Sequence, residues 1–203
     1  MKILGLTGSI GMGKSTAAAM LRCLGVPVHD ADATVHRLFA PGGAAVGPVG
    51  VAFAGVVVAG AVDRVLLGRQ VFGDPAALKR LEAIVHPLVR AAEQDFLAIH
   101  ARRGTRLVAL DIPLLFETGG ARRCDKVAVV TCPAFLQAQR VLRRPGMNPD
   151  KLAAIRRQQM PDHEKRKRAD FLIPTGIGRA AALRRLRAAV TLMRQSAPSH
   201  RRK

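Results

Sequence analysis

Tryptophan and tyrosine are absent from these 203 residues, and phenylalanine occurs only seven times. Nucleic-acid modules that stack bases on exposed aromatic rings therefore have no platform here. Cysteine is equally scarce: Cys23, Cys124 and Cys132 are too few and too scattered for a disulfide framework or a cysteine-rich zinc site, and they point to a reducing, cytoplasmic setting. Acidic side chains number 14 against 33 basic ones, a formal net charge of +19 that asks for a polyanionic partner. Apolar runs free of breakers are also missing. Residues 38–62 carry no charge and are long enough to span a bilayer, but Pro41, Gly42, Gly43, Gly47, Pro48, Gly50, Gly55 and Gly60 would leave backbone groups unsatisfied in lipid. The apolar start Ile3-Leu4-Gly5-Leu6 runs into a glycine loop with no small-residue cleavage site, so it does not read as a signal peptide.

What is present fits one α/β domain with additions. At 49% hydrophobic the chain is too apolar for disorder, and no internal repeat is visible. The charge is uneven: residues 1–139 carry +5 and residues 140–203 carry +14. A strand is expected at Lys2–Thr7, a helix from Lys14 to Cys23 ended by Gly25, and a strand at Val26–His29, with Asp30 capping the next helix. A short helix is expected near Val46–Phe53, with a turn at Gly60. Asp74-Pro75 opens a helix that His86-Pro87 should end or interrupt, and a further helical stretch reaches Ala101. Strands at Arg106–Ile112, Lys126–Thr131 and Phe171–Ile173 alternate with helices opening at Pro133, over Lys151–Gln159 and over Arg179–Arg194. This alternation implies a parallel sheet covered on both faces.

The most specific single motif is Gly8-Ser9-Ile10-Gly11-Met12-Gly13-Lys14-Ser15, a G-x-x-x-x-G-K-[ST] phosphate loop between an expected strand and an expected helix. Successive backbone N–H groups must converge on one phosphate, which requires Gly8, Gly11 and Gly13 for conformation and close approach, and the helix N-terminus adds its dipole. Met12 and Thr16 belong to the same nucleotide cradle. Lys14 is expected on the β- and γ-phosphates of ATP or GTP, and the Ser15 hydroxyl on Mg²⁺.

Phosphate loops serve several reactions. The guanine-reading N-K-x-D segment is absent, and the candidate Walker-B strand, Leu107 to Asp111, ends in a single acid followed by Ile112-Pro113. Asp111 could hold Mg²⁺ through water or could simply order the loop after it. A small-molecule kinase needs a base for the acceptor hydroxyl, arginines for the transferred phosphoryl group and a lid. Asp30-Ala31-Asp32 follows the second strand, at the edge where open α/β sheets bind ligands. Either both acids cap a helix, or Asp30 caps and Asp32 accepts the proton. Arg140, Arg143 and Arg144 supply the arginines, with Arg140 and Arg144 placed on one face if the helix continues. The turn-rich Pro145–Pro149 and the charged run Glu164–Arg168 suit a mobile lid, although a solvated helix face would look the same.

Five stretches in order resemble the dephospho-coenzyme A kinase family over roughly residues 1–190. They are Gly8–Thr16; Asp30-Ala31-Asp32; Asp63-Arg64 with Val85-His86-Pro87-Leu88; Asp111-Ile112-Pro113-Leu114-Leu115-Phe116-Glu117; and Gln159-Met160-Pro161 leading to Lys165-Arg166 and Ala169-Asp170-Phe171. The resemblance implies a P-loop NTPase of nucleotide-monophosphate-kinase type, a five-stranded parallel sheet with a helical substrate-binding insertion at 40–102, a lid at 143–165 and a basic tail at 196–203. It implies ATP and Mg²⁺ as cofactors and phosphorylation of the ribose 3′-hydroxyl of dephospho-coenzyme A. Asp32 takes the base role, Lys14 and Arg140 act on the phosphates, and Arg144 joins the ATP side. Arg64, His86, Pro87, Pro113, Leu114 and Glu117 fall on the substrate side, and Ser15 and Asp111 on the metal. Pro174-Thr175-Gly176 replaces a more polar stretch of the family, so adenine is expected to meet backbone there, and the Gly55–Ala61 turn lacks an expected acid. No nucleic acid or membrane partner is expected, and the chain is expected as a monomer or weak homo-oligomer. Two rival readings remain at this point: a nucleoside-monophosphate kinase, and a basic ATPase stimulated by nucleic acid.

Overall fold

The computed structural model describes residues 1–195; the basic tail expected at 196–203 lies outside the described residues. In chain order the elements are β1 (Lys2–Thr7), α1 (Lys14–Cys23), β2 (Val28–Asp30), α2 (Ala31–Phe39), α3 (Val46–Ala52), β3 (Val57–Val58), β4 (Ala61–Val62), α4 (Arg64–Val71), α5 (Pro75–Arg102), β5 (Leu107–Asp111), β6 (Lys126–Thr131), α6 (Ala134–Leu142), α7 (Pro149–Gln158), α8 (Asp162–Lys167), β7 (Phe171–Pro174) and α9 (Arg179–Gln195). The chain divides into two compact units, residues 1–29 with 100 onward, and residues 30–99.

The first unit is built on a five-stranded parallel sheet in the order β2-β5-β1-β6-β7. Its strands are short apolar runs because both faces are covered, one by α1 and α9 and the other largely by the segment between β5 and β6. The two faces separate by the period of two along β6. Ala128 and Val130 join Leu4, Leu6, Ala17, Leu21, Leu186 and Val190 in a core shared with α1 and α9. Val127 and Val129 point the other way, onto Leu115. Register then decides what stands at the carboxyl edge. Leu6 of β1 pairs with Asp111 of β5, so the last residue of β5 lies level with the end of β1, where the phosphate loop begins. The second strand starts later than expected, at Val28, because the Val26 N–H is used in closing α1 on the Leu21 carbonyl at 3.0 Å.

The second unit packs Phe39, Val49, Phe53, Val56, Val62, Leu67 and Val85 into its own core. It is not wholly helical: the turn at Gly60 joins β3 and β4 as an antiparallel hairpin. Asp63 caps α4, its Oδ1 accepting from Val65 N at 2.8 Å and Leu66 N at 3.0 Å. The expected break at His86-Pro87 does not occur, and α5 runs unbroken through Pro87. Pro87 and Ala83, whose carbonyl loses its helical donor, are both exposed residues on one face of the helix. Ile84, Val85 and Leu88 hold the opposite face in the core. Among the described residues no helix is long and apolar enough to cross a membrane.

Candidate active site

β1 delivers the chain into the phosphate loop beneath β6. A Cβ on Gly8 would clash with the Val130 side chain and lie 2.8 Å from the Val130 carbonyl, so only glycine lets the loop leave the sheet there. Gly13 caps α1 in the left-handed region at φ 94°, which a larger residue adopts only under strain. The first turn of α1 then presents Lys14, Ser15 and Thr16, with Ser15 and Thr16 exposed. The first N–H groups of a helix have no intrahelical acceptor, so this end is suited to an anion. Met12 is buried and anchors the loop from below, its sulfur accepting the Cys132 N–H at 3.2 Å. Burial pushes the Cys132 thiol above its ordinary range, so it is a neutral packing group.

Lys14 Nζ lies 2.7 Å from Asp111 Oδ1, and the Asp111 side chain is 2% exposed. The sheet register therefore brings together the loop lysine and the single acid of β5. Pro113 and Leu114 follow on the loop after β5. Thr7 Oγ1 donates to the Pro113 carbonyl at 2.9 Å and holds that loop against the end of β1.

Glu117 anchors the far side of the same loop. Its Oε1 accepts from Met160 N at 2.8 Å and lies 2.9 Å from Nζ of Lys165, whose side chain is fully buried. Burial raises the Glu117 carboxyl pKa, but the Lys165 ammonium and the Met160 amide lower it further, leaving it below the ordinary carboxylate range. One side chain thus joins two of the sequence stretches that carried the family resemblance.

Arg140 is directed at the loop after β7. Its Nη1 donates to Thr175 Oγ1 at 3.1 Å and its Nη2 to the Thr175 carbonyl at 2.9 Å, while Thr175 Oγ1 donates to the Met12 carbonyl at 2.6 Å. Thr175 therefore joins the arginine to the backbone of the phosphate loop. Arg144 does not share a helical face with Arg140, as a continuous helix would require. α6 ends at Leu142, Arg143 is its C-cap and Arg144 lies beyond it, because Pro145 disfavours helical conformation in the residue before it.

In the second unit, Asp30 takes the capping role, its Oδ1 accepting from Ala33 N at 2.9 Å, and Asp32 stands exposed on the first turn of α2. Arg64 Nη1 lies 2.8 Å from His36 Nε2. His86 and Pro87 are exposed on α5.

Two glutamines escaped the sequence reading as site residues. Gln137, 4% exposed, donates from Nε2 to the Ile10 carbonyl at 2.8 Å, and Gln159 Oε1 accepts from Ile10 N at 3.0 Å. The available signal was a polar residue four positions before buried Val141, on what should be the apolar face of α6.

A sequence model of dephospho-CoA kinases matches residues 2–177. The chain belongs to the dephospho-CoA kinase family. The dephospho-CoA kinase of Paramagnetospirillum magneticum is 72% identical over 199 residues, covering 98% of this chain and 94% of the relative. The solved structure of dephospho-CoA kinase from Campylobacter jejuni superposes with a TM-score of 0.71 at 27% identity, covering 96% of this chain and 98% of that one. Shikimate kinase from Bacteroides thetaiotaomicron, at 15% identity and a TM-score of 0.52 over 95% of this chain and 98% of its own, shares the fold. The activity is that of a dephospho-CoA kinase, the final step of coenzyme A biosynthesis, with ATP as phosphoryl donor. The family decides against a nucleoside-monophosphate acceptor and against a nucleic-acid-stimulated ATPase.

Proposed function

We propose that the phosphoryl group passes from ATP held on Gly8–Thr16 to the ribose 3′-hydroxyl of dephospho-CoA, with Asp32 orienting that hydroxyl and accepting its proton. The pairing of Lys14 with Asp111 at 2.7 Å supports the first half: a lysine on the first turn of α1 is stored against a buried acid at the mouth of the phosphate loop. On ATP binding, Lys14 exchanges Asp111 for the β- and γ-phosphate oxygens. Asp32 is assigned as base from its place on the first turn of α2, directly after the carboxyl end of β2 where open α/β sheets bind ligands, while Asp30 caps that helix.

Ser15 and Asp111 offer hard oxygen donors, the type Mg²⁺ takes alongside phosphate oxygens and water, and among the described residues no cluster of three His, Cys, Asp or Glu forms an all-protein metal cage. Bound there, Mg²⁺ supplies neutralisation of charge on the phosphate oxygens. Arg140 leaves Thr175 to meet the γ-phosphoryl group, and Arg144 follows from beyond α6 as the segment 143–165 closes and excludes water. The Thr175–Gly176 backbone is assigned to adenine. Arg64, His86, Pro87, Pro113 and Leu114 are assigned to dephospho-CoA, with Glu117 holding the loop that carries Pro113 and Leu114. Catalysis is then positioning and charge stabilisation. We assign the protein to the cytoplasm, as a monomer or weak homo-oligomer without nucleic acid or membrane partners.

Coupled ADP release tests the scheme. ADP should form only when dephospho-CoA is present, and Lys14→Ala should abolish it. Equal ADP release without the acceptor, or an unchanged rate in Lys14→Ala, would refute the reading.

A further inference from the structure

Ile10, at the apex of the phosphate loop, is held on both sides of its own residue. Its N–H donates to Gln159 Oε1 at 3.0 Å, and its carbonyl accepts from Gln137 Nε2 at 2.8 Å. The other end of the Gln137 amide is engaged as well: Gln137 Oε1 accepts from Arg156 Nε at 3.1 Å and from Arg156 Nη2 at 2.6 Å. These partners leave no freedom in the orientation of the amide. A guanidinium only donates and a backbone carbonyl only accepts, so the oxygen must face Arg156 and the nitrogen must face Ile10. Gln137 lies in the middle of α6, Arg156 is in the last turn of α7, and Gln159 is the C-cap of α7. Gly11, the next residue of the loop, also rests on α6, since a Cβ there would lie 2.5 Å from Val141 Cγ2 and 3.1 Å from the Gln137 carbonyl.

We propose that Gln137 is a positioning residue through which the end of α7 sets the phosphate loop, so that the proposed lid and the ATP site are mechanically one element. When Arg156 is in place, Gln137 is locked, Ile10 is fixed, and the N–H groups from Gly11 onward are aimed at the phosphates. When α7 moves, both Ile10 tethers, Gln137 through Arg156 and Gln159 directly, move with it. The charge of Arg156 therefore acts on the loop's geometry and not on the phosphates. This inference rests on the reading that Gly8–Thr16 binds ATP.

The test measures initial rates with ATP varied at saturating dephospho-CoA, and the reverse, with thermal melting to confirm folding. Gln137→Glu keeps the acceptor for Arg156 but loses the donor to Ile10, and Arg156→Ala does the opposite. Each should raise KM for ATP by about tenfold, the scale of one lost hydrogen bond, with KM for dephospho-CoA within about twofold. Adding Arg156→Ala to Gln137→Ala should cost nothing further, because the link is already cut. If Gln137→Ala does not fold, Arg156→Ala, at an exposed residue, decides alone. Additive effects in the double variant, equal changes in both KM values, or an unchanged KM for ATP in Arg156→Ala would overturn the proposal. Lys14→Ala in parallel separates the outcomes: if it too leaves ATP binding unchanged, the ATP-site reading fails, whereas if it alone abolishes binding, only the coupling fails.

Discussion

Lys14 Nζ and Asp111 Oδ1 lie 2.7 Å apart and join the first residue of α1 to the last residue of β5. The two are 97 positions apart in sequence and meet only because β1 and β5 are adjacent and parallel, with Leu6 opposite Asp111. The Asp111 side chain is almost wholly removed from water, where a charge left alone is costly, while Lys14 is partly exposed.

Removing the lysine should therefore have two separable effects. Lys14→Ala should lower kcat by at least about 100-fold, the usual scale for losing one preorganised charge at a reacting phosphate. It should also lower the melting temperature, because buried Asp111 loses the ammonium that faces it. Lys14→Met with Asp111→Asn should recover the melting temperature but not the rate. Steady-state kinetics and thermal melting on the three proteins check this.

The two acids at the end of β2 and the start of α2 should behave differently although they are two residues apart. Asp30→Ala removes the cap of α2 and should cost about 1 kcal/mol of stability. Asp32→Asn should cost well under the cap's loss in stability, because the residue is exposed and the amide keeps its shape, and should lower kcat by about 100-fold or more with little change in KM. Denaturant unfolding and rate measurements on both variants distinguish a cap from a base.

Lys165 has a fully buried side chain with its ammonium 2.9 Å from Glu117. Glu117→Gln should therefore destabilise the protein by about 3 kcal/mol, the scale for an orphaned buried charge, and Glu117→Gln with Lys165→Met should recover much of it. The pair also has a pH signature. The Glu117 carboxyl is held below its ordinary value of 4.5 in the folded protein. The stabilisation is then complete above that value and is lost as pH falls through the lowered folded value, because the unfolded chain takes up the proton first. Melting temperature should drop in that acid range for the wild type and less steeply for Glu117→Gln.

Arg140 is tied to Thr175, and Thr175 to the Met12 carbonyl. Arg140→Ala should lower kcat by about 100-fold through lost charge at the γ-phosphoryl group. Thr175→Val, which keeps the shape and removes the hydroxyl, should instead raise KM for ATP by several-fold, on the scale of one hydrogen bond, with kcat nearly kept. Comparing the two at saturating ATP tells a charge role from a positioning role.

Much of this protein was legible in the chain itself. The phosphate loop declares itself because converging backbone N–H groups demand glycine at fixed spacing before a lysine and a hydroxyl. The sheet is legible because strands covered on both faces must be apolar throughout. Asp30 could be read as a cap because capping is decided within four residues. These are local properties, encoded by neighbours in sequence. Where a local rule was outweighed, tertiary packing outweighed it: α5 passes through Pro87 because the opposite face is anchored in a core and Pro87 itself is on the exposed side.

The remaining features were settled only by the fold. Nothing near Gln137 in sequence reveals that its amide bridges Ile10 and Arg156, nothing near Glu117 reveals Lys165, and nothing near Lys14 reveals Asp111. Each of these partnerships depends on strand order and register, which set distances between residues far apart in the chain. A single sequence states which side chains can donate, accept or carry charge. Which of them meet, and which are buried deeply enough for the meeting to matter, is decided by the tertiary structure, because hydrogen bonds and ion pairs act over about 3 Å and gain their weight from the exclusion of water.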